Sequence, residues 1–403
     1  MNMGKSGRKS KTARKQRRLP FSSGGDADEG DSGEFLPSSA YDLAGDDRER
    51  SDGSGSGARG VAEEKDDFGD EGTDGIETTV GVPSKFDLYQ KSVQSPKGDI
   101  SYLKKFFLMY VGGRQPLHLQ EDFCGTALLS SEWLRSDLRR TVVGLDLDLE
   151  ALNWCLENNI SKICSNASSR ISLFHGNVLH PFKANKVKHP FDPTRNVESM
   201  GLNKQKDSSE IAKLLNETGS SSPACFTMEE ATLPPKDIIC ALNYSCCCLQ
   251  RRIDLIRYFK HTLNALSKKG GIFVMDLYGG TSSERKLQLK RKFSNFTYIW
   301  EQEEFDIISR RTRISLHFHL GKKHILRHAF SYDWRLWSLP EIKECLEEAG
   351  FQSVHFWMRE MPNTEEDEHS EEYDADGNVK YEEFSAFKQR DAWNAYVVAA
   401  ANL

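Results

Sequence analysis

Apolar side chains recur with two different periods between residues 84 and 403. Runs with an apolar residue every three or four positions predict helices, whereas short and nearly continuous apolar runs predict buried strands. The predicted strands cover 117–122, 142–146, 171–174, 237–242 and 272–277. The predicted helices cover 99–110, 127–135, 149–160 and 255–266. Strands that alternate with helices in this order indicate an α/β fold, with a doubly wound parallel sheet covered on both faces.

The last third of the chain changes to a strict alternation of apolar and polar residues. Residues 296–308, 312–320 and 324–332 are predicted to be antiparallel strands, with a hairpin turn at Gly321-Lys322. We expect the segment 296–332 to form an antiparallel insertion, or lid, on the parallel sheet.

One further helix and two further strands are predicted after this insertion. Ser338 and Gly350 are suitable caps for a helix over 339–349. Apolar runs at 351–358 and 393–401 then predict the last two strands.

Three segments lack any hydrophobic periodicity. Residues 1–80 contain few bulky apolar side chains, with eight Lys or Arg and no acid up to residue 25, and eighteen Asp or Glu against four Lys or Arg in 26–77. Such a stretch buries too little apolar surface to offset its chain entropy, so we expect a disordered tail. The polar segments 181–235 and 362–384 are expected to be a surface insertion and an acidic loop. A single domain is therefore predicted over 84–403.

The net charge of −6 belongs to the tail, because residues 78–403 contain equal numbers of acidic and basic side chains. A neutral domain does not indicate an extended nucleic-acid surface. The basic segment Lys5 to Arg18 resembles a bipartite nuclear localisation signal and is also suited to weak contacts with RNA. We expect a monomer in the nucleus or nucleolus, with the cytoplasm or a plastid as alternatives.

Membrane and metal partners are not indicated by the sequence. No apolar run approaches the roughly 18 residues of a membrane span. The nine cysteines, with no secretory signal ahead of them, favour a reducing compartment, and no Cys-x-x-Cys pair offers zinc-ligand spacing. We interpret His317, His319, His324 and His328 as strand positions, and 372–383 as a solvated loop that matches a calcium-binding pattern only in part. We therefore expect no metal.

The ends of the first two predicted strands carry the strongest functional signal. In a doubly wound sheet, ligands bind beyond the carboxyl ends of the strands. The first strand ends at Glu121, Gly125 follows in the next turn, and the second strand ends at Asp146, whose two oxygens can accept from both hydroxyls of a ribose. This order indicates an adenosine site. Phe123 and Ala127 occupy positions where a dinucleotide fingerprint has glycine, which disfavours a pyrophosphate ligand.

The amino-acid sequence at these two strand ends resembles motifs of a known family. Residues 119–127, LQEDFCGTA, look like the first motif of class I S-adenosylmethionine-dependent methyltransferases, and Gly144-Leu145-Asp146 looks like their second. EDFCGTALLS is similar to the first motif of a little-characterised branch of that family. The resemblance implies a Rossmann-like, seven-stranded sheet, S-adenosyl-L-methionine as cofactor, and methyl transfer to an acceptor that the sequence leaves open among proteins, RNA and small molecules.

The resemblance also implies roles for individual residues. Glu121 would bind the amino group of the cofactor, Asp146 the ribose, and Asn177 the adenine. The full set of implied cofactor-binding residues is Glu121, Phe123, Cys124, Gly125, Thr126, Asp146, Leu147, Gly176, Asn177 and Val178. The implied acceptor-side catalytic residues, at the end of the fourth strand, are Asn243, Tyr244 and Ser245.

Several alternatives remain open at this point. Asp146 is also a candidate helix N-cap, and Asp276 is equally suited to face the substrate or to cap the next helix. The run at 246–248, Cys-Cys-Cys, is interpreted as buried apolar side chains and not as a nucleophile. The aromatic residues between Tyr298 and Trp337 fit either an ordinary core or a cage for a cationic amine. For the whole chain, the alternatives are a catalytically inactive nuclear interaction module and, with less support, a nucleotide-dependent oxidoreductase.

Overall fold

The computed structural model of the chain describes residues 83–163, 168–188, 227–228, 233–321, 324–361 and 380–401. The predicted disordered tail, with the basic segment Lys5 to Arg18, lies outside these residues. Most of the predicted insertion, of the acidic loop and of the partial calcium pattern also lies outside them. None of the helices in the described part of the chain has the length and apolar character needed to cross a bilayer.

Six α-helices form within the described ranges. They are α1 (Lys85–Val93), α2 (Pro96–Tyr110), α3 (Leu128–Arg135), α4 (Leu149–Asn158), α5 (Arg252–Ala265) and α6 (Leu339–Ala349). Helices α2 to α6 lie where the periodicity predicts them, and α1 is an addition. At α6, the Ser338 hydroxyl accepts from the Glu341 N–H in a capping box, and Gly350 ends the helix with a φ of 110°.

The main sheet is mixed, with a parallel centre. Its strands are β1 (His118–Asp122), β2 (Thr141–Asp146), β3 (Ile171–His175), β4 (Asn185–Lys186), β5 (Ile238–Ala241), β6 (Ile272–Gly279), β11 (Ser353–Glu360), β12 (Glu382–Glu383) and β13 (Trp393–Ala400). They lie in the order β12-β11-β13-β6-β5-β1-β2-β3-β4. The strands from β6 to β3 run parallel, whereas β13 is antiparallel to both β6 and β11. In the described residues the sheet has nine strands and not seven, because two-residue strands extend both edges.

The second sheet has four antiparallel strands. They are β7 (Leu287–Lys292), β8 (Thr297–Gln302), β9 (Arg311–Leu320) and β10 (His324–Arg335), in the order β10-β9-β8-β7. The prediction of antiparallel strands is confirmed here, but β7 is an addition and the strand predicted over 296–308 ends at Gln302. It ends there because the Asp306 carboxylate accepts from the Ile308 N–H at 2.9 Å and the Ser309 hydroxyl at 2.6 Å, which forms a turn.

The sheet is buried on both faces, as the sequence predicts. One core cluster joins it to α2, α3 and α4 and contains the fully buried Trp133. The other cluster joins it to α5, α6 and the second sheet, and contains Trp300 and Trp334. The aromatic side of the second sheet therefore shares its core with the parallel strands.

Candidate functional site

The sheet has a topological switch point between β1 and β5. The chain proceeds from β1 through β2 to β3 on one side, and from β5 to β6 on the other. The loops that leave neighbouring strands at such a point diverge and open a crevice at the carboxyl ends, where ligands bind in open α/β sheets. The loops at 123–127, 147–148 and 242–245 leave β1, β2 and β5 there.

The loop after β1 has a left-handed residue at every second position. The φ angles are 57° at Phe123, 49° at Gly125 and 48° at Ala127. Two backbone hydrogen bonds hold the loop. The Cys124 N–H donates to the Leu145 carbonyl at 3.2 Å, and the Ala127 N–H donates to the Cys124 carbonyl at 2.7 Å. Glycine is the usual residue in this conformation. Phe123 and Ala127 therefore keep the backbone path of a glycine-rich loop without having its glycines.

Asp146 joins the end of β2 to this loop. Its Oδ2 accepts from the Gly125 N–H at 2.6 Å, and its Oδ1 accepts from the Asp148 N–H at 2.7 Å. Burial raises the pKa of the Asp146 carboxyl above its ordinary value. The alternative role of Asp146 as a helix N-cap is wrong, because Asp148 caps α4 by accepting from the Ala151 N–H.

Glu121 and Asp122 lie on opposite faces of β1. Glu121 Oε2 accepts from the Ser130 N–H at 3.0 Å and from the Ser130 hydroxyl at 2.5 Å, at the start of α3. Asp122 accepts from Gln120 and from the Tyr258 hydroxyl, both at 2.9 Å. Burial raises the pKa of Glu121 to about 7 and that of Asp122 to about 6. Both acids thus favour their neutral form more than exposed carboxyls do.

The residues after β2 and β3 divide between surface and interior. Leu147 is exposed at 62%, and Asn177 is exposed with its Oδ1 accepting from the Leu179 N–H. Gly176 donates its N–H to the Asp146 carbonyl at 2.8 Å. Val178 is buried and lines a cavity of about 120 Å³ between the sheet and α5. Gly176 thus adjoins Asp146, while Val178 faces the interior.

The turn after β5 is held by a carboxylate from β6. Asp276 accepts from the Asn243 N–H at 2.9 Å and from the Tyr244 N–H at 2.7 Å, and these two residues have φ angles of 59° and 58°. Both carboxylate oxygens of Asp276 therefore bind the turn. The Tyr244 hydroxyl is buried and donates to Asn394 at 2.9 Å. Tyr244 thus supports the turn from inside the protein.

Helix α1 covers the crevice. Gln90 Nε2 donates to the Thr126 hydroxyl at 2.7 Å, and Lys85 forms an ion pair with Glu150 of α4 at 2.9 Å. The ring of Tyr89 lies 5.0 Å from the ring of Phe330 of β10. Helix α1 therefore connects the loop after β1, helix α4 and the second sheet. The only sequence signal for α1 is its N-cap, Ser84, because a nine-residue helix has too few turns for a clear apolar stripe.

The other candidate groups are explained by packing. Cys246 and Cys247 are buried, and Cys248 is exposed with a pKa that partial desolvation raises to about 11, so none of them has the character of a nucleophilic thiolate. Ser245 donates its hydroxyl to the Leu242 carbonyl at 2.6 Å. His317 contacts Glu301 at 2.8 Å. Within the described ranges no three His, Cys, Asp or Glu side chains cluster as metal ligands.

Comparison with known proteins gives likenesses to solved structures alone. No protein-family profile matches the sequence, and no curated relative matches it. The solved structures that it resembles include the CcbJ methyltransferase from Streptomyces caelestis, with TM-score 0.47, 13% identity and coverage of 79% of this chain and 97% of that one. The sugar N-methyltransferase KedS8 from Streptoalloteichus has a TM-score of 0.45 and 10% identity, with coverage of 83% of this chain and 100% of that one. An S-adenosylmethionine-dependent methyltransferase from Clostridium acetobutylicum has a TM-score of 0.42 and 15% identity, with coverage of 77% of this chain and 96% of that one.

Proposed function

We propose that this chain is a class I methyltransferase that uses S-adenosyl-L-methionine. One observation carries the proposal: the left-handed loop after β1 is bound through the Gly125 N–H to Asp146 at the end of β2. This contact places a carboxylate and a closely approaching backbone side by side at the switch point of the sheet. The antiparallel β13 between β6 and β11 adds to this support, because the sheet then has seven long strands with one reversed.

The residues of the crevice fit this cofactor. Oδ2 of Asp146 accepts from the Gly125 N–H and Oδ1 from the Asp148 N–H, and a carboxylate, with about four lone-pair sites, can accept from a ribose hydroxyl as well. Both hydrogen bonds from Ser130 go to Oε2 of Glu121, so the binding of the cofactor's amino group falls to Oε1. A Cβ on Gly125 would meet no other atom within 4 Å, so the space beside this residue is open. Gly176 and Asn177 continue the same edge of the crevice beyond Asp146.

S-adenosyl-L-methionine supplies a methyl group on a positively charged sulfur, which is a sufficient electrophile without a metal. The protein has to orient the acceptor and to exclude water. Helix α1 and the second sheet are placed for both tasks, since they cover the carboxyl ends of the strands, and we assign the second sheet the role of a lid. Asn243 and Ser245, both half-buried in the turn after β5, stay the acceptor-side candidates.

The test is methyl transfer by the full chain. Purified protein is incubated with S-adenosyl-L-methionine labelled in the methyl group and with fractions of a cell extract. We expect label to enter one fraction, with stoichiometric release of S-adenosylhomocysteine. Asp146→Ala should abolish the transfer, whereas Asp148→Asn should keep it, because Asn caps a helix as well as Asp does. Equal label with the wild type and with Asp146→Ala would overturn the assignment.

A further inference from the structure

Strand β10 contains a bulge opposite His317 of β9. The pairing of the two strands runs from His324 to Leu326, shifts its register, and resumes at Phe330, so residues 327–329 lie opposite a single residue of β9. Within this bulge His328 has a φ of 50°, in the left-handed region that residues other than glycine rarely adopt. Because a bulge interrupts the ladder of hydrogen bonds between strands, its backbone needs another contact to hold it.

The side chain of His317 supplies this contact. Its Nδ1 atom accepts from the backbone N–H of His328 at 3.0 Å. Because an accepting nitrogen carries no proton, the proton of the neutral ring is on Nε2, which donates to Glu301 of β8 at 2.8 Å. The two contacts fix one neutral tautomer of a ring that is only 5% exposed. The uncharged ring therefore ties the bulge of β10 to β8.

Protonation of His317 is incompatible with this arrangement. An imidazolium has an N–H at both nitrogens, so Nδ1 can no longer accept from the His328 N–H and directs a second N–H toward it. Burial lowers the pKa of His317 below its ordinary value of 6.5, so the ring is neutral at neutral pH. The stabilisation that the neutral ring gives is therefore complete above pH 6.5, and it is lost as the pH falls through the pKa of the folded protein.

Charged groups on the neighbouring strands act on His317 in opposite directions. The carboxylate of Glu301 favours the imidazolium, whereas Arg327 and His328 of β10 disfavour it. The rings of His317 and His328 are 4.7 Å apart. Lys290 of β7 lies two strands away, at the same cross-strand position. Two of the three strands thus present cations to His317, and one presents an anion.

His328 does not share this sensitivity to its own protonation. Its Nδ1 contacts the hydroxyl of Ser315 at 3.1 Å, and that hydroxyl contacts Ser331 of β10 at 3.3 Å. A hydroxyl can donate or accept, so these contacts persist whether or not the His328 ring is protonated. His319 is the next residue on the same face of β9, beyond the bulge. The ring nitrogen that accepts from the bulge belongs to His317.

The residue that follows the bulge packs against helix α1. The ring of Phe330 lies 5.9 Å from that of Phe86 and 5.0 Å from that of Tyr89, both on α1. The same helix is bound to the loop after β1 by Gln90, whose Nε2 donates to the Thr126 hydroxyl at 2.7 Å. A rearrangement of the bulge therefore changes the packing of the helix that covers the crevice.

We propose that His317 and the bulge at 327–329 form a pH-sensitive switch. Protonation of His317 releases the backbone of His328, and the rearranged bulge, through Phe330, loosens helix α1 over the crevice. At neutral pH the switch keeps α1 on the crevice, and at mildly acidic pH it lets the helix separate. The switch belongs to the fold itself, whereas its effect on cofactor binding rests on the proposed function.

Hydrogen exchange followed by mass spectrometry tests the switch in the full chain. Exchange of the segments 85–93 and 324–335 is measured from pH 7.5 to pH 4.5 in the wild type and in His317→Gln. Glutamine has a donor for Glu301 and an oxygen acceptor, but it does not ionise. Comparison of the two proteins at each pH cancels the pH dependence of the exchange chemistry. We expect equal exchange at pH 7.5, and about tenfold faster exchange of both segments in the wild type at the lowest pH, which corresponds to about 1.4 kcal/mol.

The matched control is His324→Gln. This substitution removes another histidine, at the exposed first residue of β10, and should exchange like the wild type at every pH. Equal exchange of the wild type and His317→Gln over the whole range would overturn the switch. A difference confined to 324–335 would overturn its link to α1.

A second variant serves if His317→Gln does not fold. Glu301→Gln removes the negative charge beside the imidazolium and leaves an oxygen that can accept from Nε2 of His317. The transition in exchange should then move about one pH unit lower. A transition at the same pH as in the wild type would overturn the assignment to His317.

Binding of S-adenosylhomocysteine tests the consequence for the crevice. The wild type and His317→Gln should bind equally at pH 7.5, and at pH 5 the wild type should bind about fivefold more weakly, because a smaller fraction of it has α1 in place. The ratio between the two proteins removes the contribution of Glu121, which titrates in both. Equal affinities at pH 5 would overturn the effect on the crevice. An absence of binding by both proteins at pH 7.5 would overturn the proposed function and not the switch.

Discussion

Replacement of Glu121 by Gln should make the protein more stable at high pH. Burial of the Glu121 side chain raises its pKa from 4.5 to about 7, so the folded protein holds this proton more tightly than the unfolded chain does. The free energy of unfolding therefore falls as the pH rises from about 4.5 through about 7, and the loss is complete above that range. A shift of this size corresponds to about 3 kcal/mol. Glutamine has the shape of the neutral acid and carries no charge to desolvate.

Urea denaturation at pH 5 and pH 8 measures the effect. At pH 8 the Glu121→Gln variant should exceed the wild type by about 3 kcal/mol, and at pH 5, where the carboxyl of the unfolded chain is already largely ionised, by less than about 1 kcal/mol. Asp122 titrates in the same direction, because burial raises its pKa to about 6, so part of the pH dependence stays in the variant. The control is Glu132→Gln on α3, where a half-buried carboxylate pairs with the exposed Arg135 at 3.3 Å and no pH-dependent gain of this kind is expected.

Two results would refute the reasoning about Glu121. A variant that is less stable than the wild type at both pH values would show that the Ser130 hydrogen bonds outweigh the desolvation of the carboxylate. A stability gain that is equal at pH 5 and pH 8 would show that the gain does not come from ionisation.

Three further predictions concern separate parts of the fold. Asp276→Asn should cost about 1–3 kcal/mol in urea denaturation, because an amide NH₂ then faces one of the N–H groups of Asn243 and Tyr244; a change below 0.5 kcal/mol would contradict this. Ser338→Ala should cost about 1 kcal/mol through loss of the capping box, measured by thermal melting, and an unchanged melting temperature would contradict it. Cys248→Ser should remove one slowly reacting thiol from the folded protein in a mass-spectrometric alkylation assay, and an unchanged thiol count would show that Cys248 is shielded.

The sequence predicts the elements that have a strong period of their own. The parallel strands and the helices α2 to α6 each bury an apolar face, so their positions follow from local pattern. The strand β7, LQLKRK, is a charged edge strand whose polar residues hide its alternation. Helix α1 buries Ser92 with Phe86 and Leu88, and it is held by contacts with the second sheet that no local pattern contains.

The candidate site likewise contains residues that the sequence predicts and contacts that it does not. Asp146 and Gly125 can be predicted from the sequence because strand ends and turn glycines leave a local signal. The hydrogen bonds of Asp276 with the turn after β5 join residues that are more than thirty positions apart, and the ring contact of Tyr89 with Phe330 spans most of the domain. Such contacts follow from tertiary packing, which the sequence of one chain does not display. The nuclear or nucleolar location and the monomeric state stay predictions.

The most direct measurement of the central claim is calorimetric titration of the full chain with S-adenosylhomocysteine. The account predicts one site per chain, an affinity at least tenfold weaker for Asp146→Ala, and an unchanged affinity for Asp148→Asn, whose cap on α4 an amide can keep. An absence of binding by the wild type, or an equal affinity for Asp146→Ala, would contradict the claim that the crevice at the ends of β1 and β2 holds the cofactor of a methyltransferase.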